Sequence, residues 1–583
     1  MSNELSKFEK TFIVWTDGSL PKETYEFLDS RSFSEIVGYY LDELRMHESN
    51  LLRIFPQGLE DAEQVKVIVD LFKKLYYNTV EDIERDYPEY EHLLGDRYNL
   101  QQFIENLYNF WRGFERYIVC SSLDEMGYDK RPYRTFRDTI SHMNHLVRKT
   151  YRDISENLMG ESYNVYRQVS SGFSVGIIAV NKEWGCPDEY MRLDAIPMVT
   201  QVLLYPPLIL DPLMNKRKGS FKKVESNPLE GIEFQDKQWL CYPAKVGSLL
   251  IHIYFHNKFM SLGCSAANLF ELAKSEDLER KPDAIYAFGV DEDGLDRFGC
   301  ETVFYEDEKN DLLIAAVPRK NDYGYFGYLK KMVLTLHNIL MMKRGRFPIH
   351  GAMVGIELKE GRKANVVIVG DTGAGKSESL EAFRTIGDAK IKDMTIIFDD
   401  MGSLEVDDEG RVKAYGTEIG AFVRLDDLQP GFAFGNIDRS IIMSPQKVNA
   451  RVVLPVTTIE EVLRGNEVDF FLYANNYEEI GEKEEIIERF GTADEALRVF
   501  SEGKVMSKGT TESSGVVKTY FANIFGPPQY KELHDNIATR YFGKMFETGV
   551  FVGQVRTRLG IEGYETEGPM IAAQELLKLI DRS

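Results

Sequence analysis

Gly370-Asp371-Thr372-Gly373-Ala374-Gly375-Lys376-Ser377 fits the phosphate-binding pattern G-x-x-x-x-G-K-[ST] in full. Its flanks fit as well. Val366-Val367-Ile368-Val369 before it is a short β-branched run that reads as a buried strand, and Glu378 to Arg384 after it reads as a helix. A strand, a glycine-rich turn and a helix start would aim successive backbone N–H groups at one point, where the helix dipole adds partial positive charge. In this reading Gly370 to Ser377 hold the phosphates, Lys376 reaches the outer ones, and the Ser377 hydroxyl binds the accompanying magnesium ion. The expected ligand is a nucleoside triphosphate.

The segments around this loop set the expected organisation. The 583 residues are too many for one core, and two to four domains are expected. From about Thr24 to Leu158 apolar residues recur at helical spacing, as in Val65 to Tyr76 and Phe103 to Trp111. Residues 1–158 therefore read as a helical region, its aromatic residues forming core and rim. Residues 159–321 read as a β-rich α/β domain, on strands such as Phe173 to Val180, Val199 to Tyr205 and Leu249 to Phe255. Residues 322–583 alternate strands and helices around the loop. The fold class read from this is α/β.

A net charge of −23 opposes non-specific binding to nucleic acid or to anionic membranes. The densest positive cluster, Lys216, Arg217, Lys218, Lys222 and Lys223, is either a solvated loop or a contact for an anionic substrate or partner. The five cysteines are dispersed and contain no C-x-x-C pair, which suits reduced thiols. The polar stretch Met1 to Lys10 does not read as a signal peptide, and no apolar run approaches the roughly 18 residues of a membrane span. A cytoplasmic location is expected.

Three further features narrow the chemistry: Tyr325 to Lys331, Arg346-Phe347-Pro348-Ile349-His350-Gly351, and Thr395-Ile396-Ile397-Phe398-Asp399-Asp400. Singly, each has an ordinary structural reading. Together they resemble ATP-dependent phosphoenolpyruvate carboxykinase, in the segment from its Tyr-Gly-Gly-Glu-Met-Lys-Lys motif to its metal-binding histidine. That resemblance implies that Lys331, His350, Asp399 and Asp400 hold manganese or another transition metal. Asn449-Ala450-Arg451-Val452-Val453-Leu454-Pro455-Val456 resembles the stretch whose arginine contacts the phosphoryl group in flight, here Arg451. Phe521-Ala522-Asn523-Ile524-Phe525-Gly526 resembles the family's Phe-Ser-x-Cys-Phe-Gly motif. The loop, Gly370 to Glu378, and His350-Gly351 are more similar to HPr kinase/phosphorylase, a protein serine kinase of the same superfamily. The resemblance covers about Asp322 to Ile580.

The carboxykinase's Arg-Ser-Pro-Lys-Asp-Lys motif, which supplies its substrate arginine, has no counterpart in the chain. Its Gly-Thr-Glu-Arg-Gly motif reads Gly509-Thr510-Thr511-Glu512-Ser513-Ser514-Gly515, without the arginine. The resemblance therefore implies an ATP-dependent kinase acting on a hydroxyl of a protein or small molecule, with ATP and magnesium as cofactors. Lys376, Arg451, Lys331, Asp399 and Asp400 are its catalytic candidates, and either aspartate is placed to orient the hydroxyl or accept its proton. Carboxykinase activity on oxaloacetate is one alternative. A nucleotide-sensing scaffold, with the N-terminal helices holding a protein partner, is the other.

Overall fold

Both elements expected around the glycine-rich stretch form, as the strand Lys363–Val369 and the helix Lys376–Lys390. The computed structural model describes residues 4–16, 20–122, 131–216, 221–371, 373–425, 435–481, 485–507 and 515–582. The chain is mixed α/β, with several sheets and helices. It divides into two compact units: Met1–Glu183 with Asp194–Tyr205, and Trp184–Leu193 with Pro206–Ser583.

In the second unit Lys363–Val369 lies parallel to Phe470–Asn475, which lies parallel to Phe551–Arg556. On its other side it runs antiparallel to the twelve-residue strand Phe347–Leu358. That strand also pairs, antiparallel, with Ile391–Phe398 and Met401–Val406. The helix Lys376–Lys390 covers this sheet together with Glu567–Arg582, and Leu380, Phe383, Leu576 and Ile580 share one buried cluster with strand residues Val366 and Leu472.

A second sheet of the same unit is built on Trp239–Val246, Leu249–His256, Ala284–Val290, Leu312–Pro318, Val303–Asp307 and Lys222–Val224, in that order. Every residue of Leu249–His256 and Ala284–Val290 is buried, as near-continuous apolar runs require when both faces of a sheet are covered. The helix Phe326–Lys343 touches strands of both sheets. It is buried around almost its whole circumference, so it carries Lys330 and the polar pair His337 and Asn338 into the interior.

The first unit holds the strands Glu4–Phe8, Thr11–Thr16, Glu115–Ser122, Val175–Val180 and Met198–Leu204, in that order. Thr11–Thr16, Glu115–Ser122 and Val175–Val180 are mutually parallel, and the outer pairs are antiparallel. The helices Arg31–Met46, Asp61–Tyr77, Arg97–Arg112 and Arg131–Met159 supply most of the core.

The organisation thus differs from the sequence reading in two respects. Residues 1–158 are not purely helical: the strands Glu4–Phe8 and Thr11–Thr16 precede the helices, and Glu115–Ser122 lies between two of them. The strands assigned to a middle domain are divided: Val175–Val180 and Met198–Leu204 complete the first unit, while Leu249–His256 belongs to the second. Among the described residues no helix is long and apolar enough to cross a membrane.

Candidate active site

Glycine is required at two points of the loop. Gly373 and Gly375 have φ of +78° and +102°, a region that side chains other than glycine rarely enter. A Cβ on Gly375 would also stand 2.8 Å from the Thr557 side chain. Neighbouring side chains brace the loop's carbonyls. The Thr557 hydroxyl donates to the oxygen of Ala374 at 2.8 Å, and the Asn476 amide donates to that of Gly373 at 2.9 Å. Lys376 is buried at the helix start, its ammonium donating to the oxygens of Gly370 at 2.6 Å and Asp371 at 3.2 Å. Thr372 and the Ser377 side chain lie outside the described residues.

Backbone pairing brings the next candidates to the loop. The Gly370 N–H donates to the His350 oxygen at 3.1 Å, and the Gly351 N–H donates to the Asp400 oxygen at 2.9 Å. Asp399 and Asp400 thus leave the strand Ile391–Phe398 directly beside the loop. Asp400 accepts from Lys330 through Oδ2, at 2.5 Å, and its Oδ1 lies 3.1 Å from Nε2 of His350. Nδ1 of His350 is 2.5 Å from the carbonyl oxygen of Ala522. A carbonyl only accepts, so Nδ1 carries a proton. In the neutral ring Nε2 then presents a lone pair to the Asp400 carboxylate. That contact is favourable only with a proton or a cation between the two atoms.

The carbonyl that sets this tautomer belongs to an unusual turn. Phe521, Ala522 and Asn523 have φ of 43°, 57° and 60°, three consecutive non-glycine residues in the left-handed region. Phe521 and Ala522 each cost about 1–2 kcal/mol there, while asparagine enters the region more readily. Such strain persists where surrounding contacts over-determine it, and it gathers at functional sites. Here Ala522 reaches His350, and the amide of Asn523 reaches Asp371 in the loop at 3.5 Å.

Burial and charge shift the groups around Asp400. Lys330 is 3 % exposed. Burial opposes its charge, but the fields of Asp400 and Glu418 outweigh burial, and its pKa is raised. Burial likewise works against ionisation of Asp400, yet Lys330 and His350 hold it well below the usual carboxylate range. Glu418 is 1 % exposed. Burial pushes it up to about 8, against the pull of Lys330 and with the help of Asp400. One of its oxygens accepts from the Met401 N–H at 3.2 Å and the other has no partner among the described residues, which suits a neutral carboxyl.

Lys331, Lys376, Asp371, Gly373, Asp399, Asp400 and Arg451 line one cleft, with Lys330, Arg424 and Phe422. Its enclosed volume of about 150 Å³ falls below the roughly 300–1,000 Å³ of a pocket for a whole small molecule, so a nucleotide would be enclosed only in part. Arg424 and Arg451 face each other in register across two antiparallel strands. The Arg451 guanidinium and the Lys330 ammonium lie over the Phe422 ring at 5.5 Å and 5.9 Å. Nε of Arg451 has no hydrogen-bond partner among the described residues.

The structure therefore brings together Lys331, Lys376, Asp399, Asp400 and Arg451, with His350 buried behind Asp400. It gives the two lysines different surroundings. Lys330 makes the ion pair with Asp400, while the Lys331 ammonium lies 4.5 Å from the Phe525 ring centre. Lys330, Glu418 and the braces Asn476 and Thr557 went unread in the sequence. A lysine doublet in a mostly apolar helix was the available signal for the first; the other three carry none. Of the basic cluster, Lys223 pairs with Glu306 at 3.5 Å, while 217–220 lie outside the described residues, as does most of the 509–515 stretch.

A divalent cation fits part of this donor set. Two ligands about 2.1 Å from one ion, at right angles, stand about 3 Å apart, close to the spacing of His350 Nε2 and Asp400 Oδ1. Lys330 does not fit while protonated. Among the described residues no group of three or more His, Cys, Asp or Glu side chains is arranged to hold a metal ion. No family model matches the sequence, and no curated protein matches it.

Proposed function

We propose that the second unit is an ATP-dependent phosphotransferase site, of the type shared by phosphoenolpyruvate carboxykinase and HPr kinase/phosphorylase, that passes the terminal phosphoryl group to a hydroxyl acceptor. The observation that carries the reading is the convergence of Lys376, Asp399, Asp400, Lys331 and Arg451 on one cleft beside a glycine-rich loop that opens a helix. Phosphoryl transfer asks chiefly for positioning and for positive charge around the phosphoryl oxygens. Lys376 and Arg451 supply that charge from two walls of the cleft. A divalent cation held by His350 and Asp400 would, when bound, neutralise further phosphate charge.

The two aspartates take different roles. Asp400 has its oxygens committed to Lys330 and His350 and a depressed pKa, which makes it a weak base. It serves as a fixed countercharge. Asp399 lines the cleft and is the group assigned to orient the acceptor hydroxyl. Lys376 now spends its donors on the oxygens of Gly370 and Asp371, and ATP must draw it off them.

The test incubates the full chain with γ-labelled ATP, magnesium and manganese, against protein acceptors and polyols, with oxaloacetate as a separate arm. Label transferred to a hydroxyl supports the kinase reading. Robust formation of phosphoenolpyruvate from oxaloacetate would replace it with the carboxykinase.

A further inference from the structure

We infer that the first unit contains a binding site for a small, neutral, apolar molecule, independent of the phosphotransferase reading. Between its sheet and its helices lies a cavity of about 100 Å³. Its floor is formed by Val14 of the sheet, by Ile104 and Trp111 of the helix Arg97–Arg112, and by Met143 and Val147 of the helix Arg131–Met159. All five are buried. Its mouth is rimmed by partly exposed residues, among them Ser30, Ser32, Tyr108 and Tyr151.

The wall presents carbon. The polar groups nearest the interior are already engaged: the Trp111 N–H donates to the Ser171 oxygen at 2.6 Å, and the Thr150 hydroxyl to the Leu146 oxygen at 2.9 Å. Tyr151 donates to Glu105, and its ring stacks on Tyr108 with centroids 4.1 Å apart. Among the described residues, no charged one lines the cavity.

These facts define the ligand. A water needs two to four polar partners to be held in a cavity, and this wall has few to offer. Interiors are packed at crystal-like density, and voids larger than a water are few. An apolar occupant of about six to nine non-hydrogen atoms, part of it lying in the open mouth, supplies the missing contacts, as benzene does in a closed apolar void of about 150 Å³. A charged occupant would be buried without a counter-ion, which excludes carboxylates and amines. The partly open, polar mouth gives a route of entry that a packing defect does not need.

The experiment uses the full-length protein with indole as probe and indole-3-acetate as its charged counterpart. Indole should raise the unfolding temperature of the first unit saturably, and the charged analogue should not. Val147→Phe and Ile104→Phe, made separately from two different helices, fill the space. Each should weaken indole binding at least tenfold while leaving the ligand-free unfolding temperature unchanged or higher, and either suffices if the other does not fold. Absence of saturable indole binding overturns the inference. So does equal binding by wild type and a folded filled variant, or equal binding of indole and its carboxylate.

Discussion

Replacing Glu418 by glutamine should make the second unit more stable at pH 8 and leave it nearly unchanged at pH 5. The folded chain holds Glu418 protonated up to about pH 8, against an ordinary 4.5 in the unfolded chain. Below about pH 4.5 both states carry the proton and the group has no pH-dependent effect. Between 4.5 and about 8 the unfolded state releases a proton that the folded state retains. Stability is therefore lost as pH rises through this window, and the slope ends above it. Three and a half pH units correspond to about 5 kcal/mol, at roughly 1.4 kcal/mol each. This is an upper bound, because the unfolded chain keeps some neighbouring charge. That residual charge brings the difference down to about 3 kcal/mol. Glutamine keeps the shape and the acceptor for the Met401 N–H but has no proton to hold. Urea unfolding of both proteins from pH 5 to 9 should give curves that meet near pH 5 and separate by about 3 kcal/mol at pH 8. Curves that stay parallel across this range would show that Glu418 is not a proton-holding carboxyl and would remove the electrostatic account of the cluster.

The ion pair gives a complementary expectation. Lys330→Met leaves Asp400 beside His350 without its ammonium, and should destabilise the unit by about 2 kcal/mol, less than the 3–5 kcal/mol of a fully buried pair because the Asp400 side chain is 25 % exposed; urea unfolding at pH 7 reads it. Gly375→Ala adds a Cβ 2.8 Å from Thr557 at a φ of +102°, so it should abolish ATP binding, and Thr557→Gly in the same chain should restore it only partly, since the backbone strain remains. His350→Gln should weaken manganese binding, seen as water-proton relaxation, by at least tenfold; unchanged relaxation would remove His350 from the cation site.

The glycine-rich loop and its flanking elements were legible because each residue type there answers a local demand: left-handed φ at Gly373 and Gly375, and a β-branched run for a strand buried between two others. Asp399 was likewise placed at the end of a strand that its β-branched neighbours announce, whereas Arg451 was singled out by the family resemblance alone. The strands Thr11–Thr16, ahead of the first helix, and Glu115–Ser122, between two long helices, escaped because runs this short carry too little periodicity of their own. Glu418 and Thr557 act through contacts with Met401 and Ala374, at separations of 17 and 183 residues, and only the folded chain brings them there. The doublet Lys330-Lys331 marked the place, but which lysine meets Asp400 depends on a helix rotation of about 100° per residue, set by packing between two sheets.

The central claim is that the cleft holds the phosphates of a nucleotide. Equilibrium titration of the full chain with ATP and with adenosine, in the presence of magnesium, tests it directly, with Lys376→Met as the paired protein. The account predicts saturable binding of ATP, little or none of adenosine, and a loss of at least tenfold for ATP in the variant. Equal binding of ATP and adenosine by the wild type, or undiminished ATP binding by Lys376→Met, would contradict it.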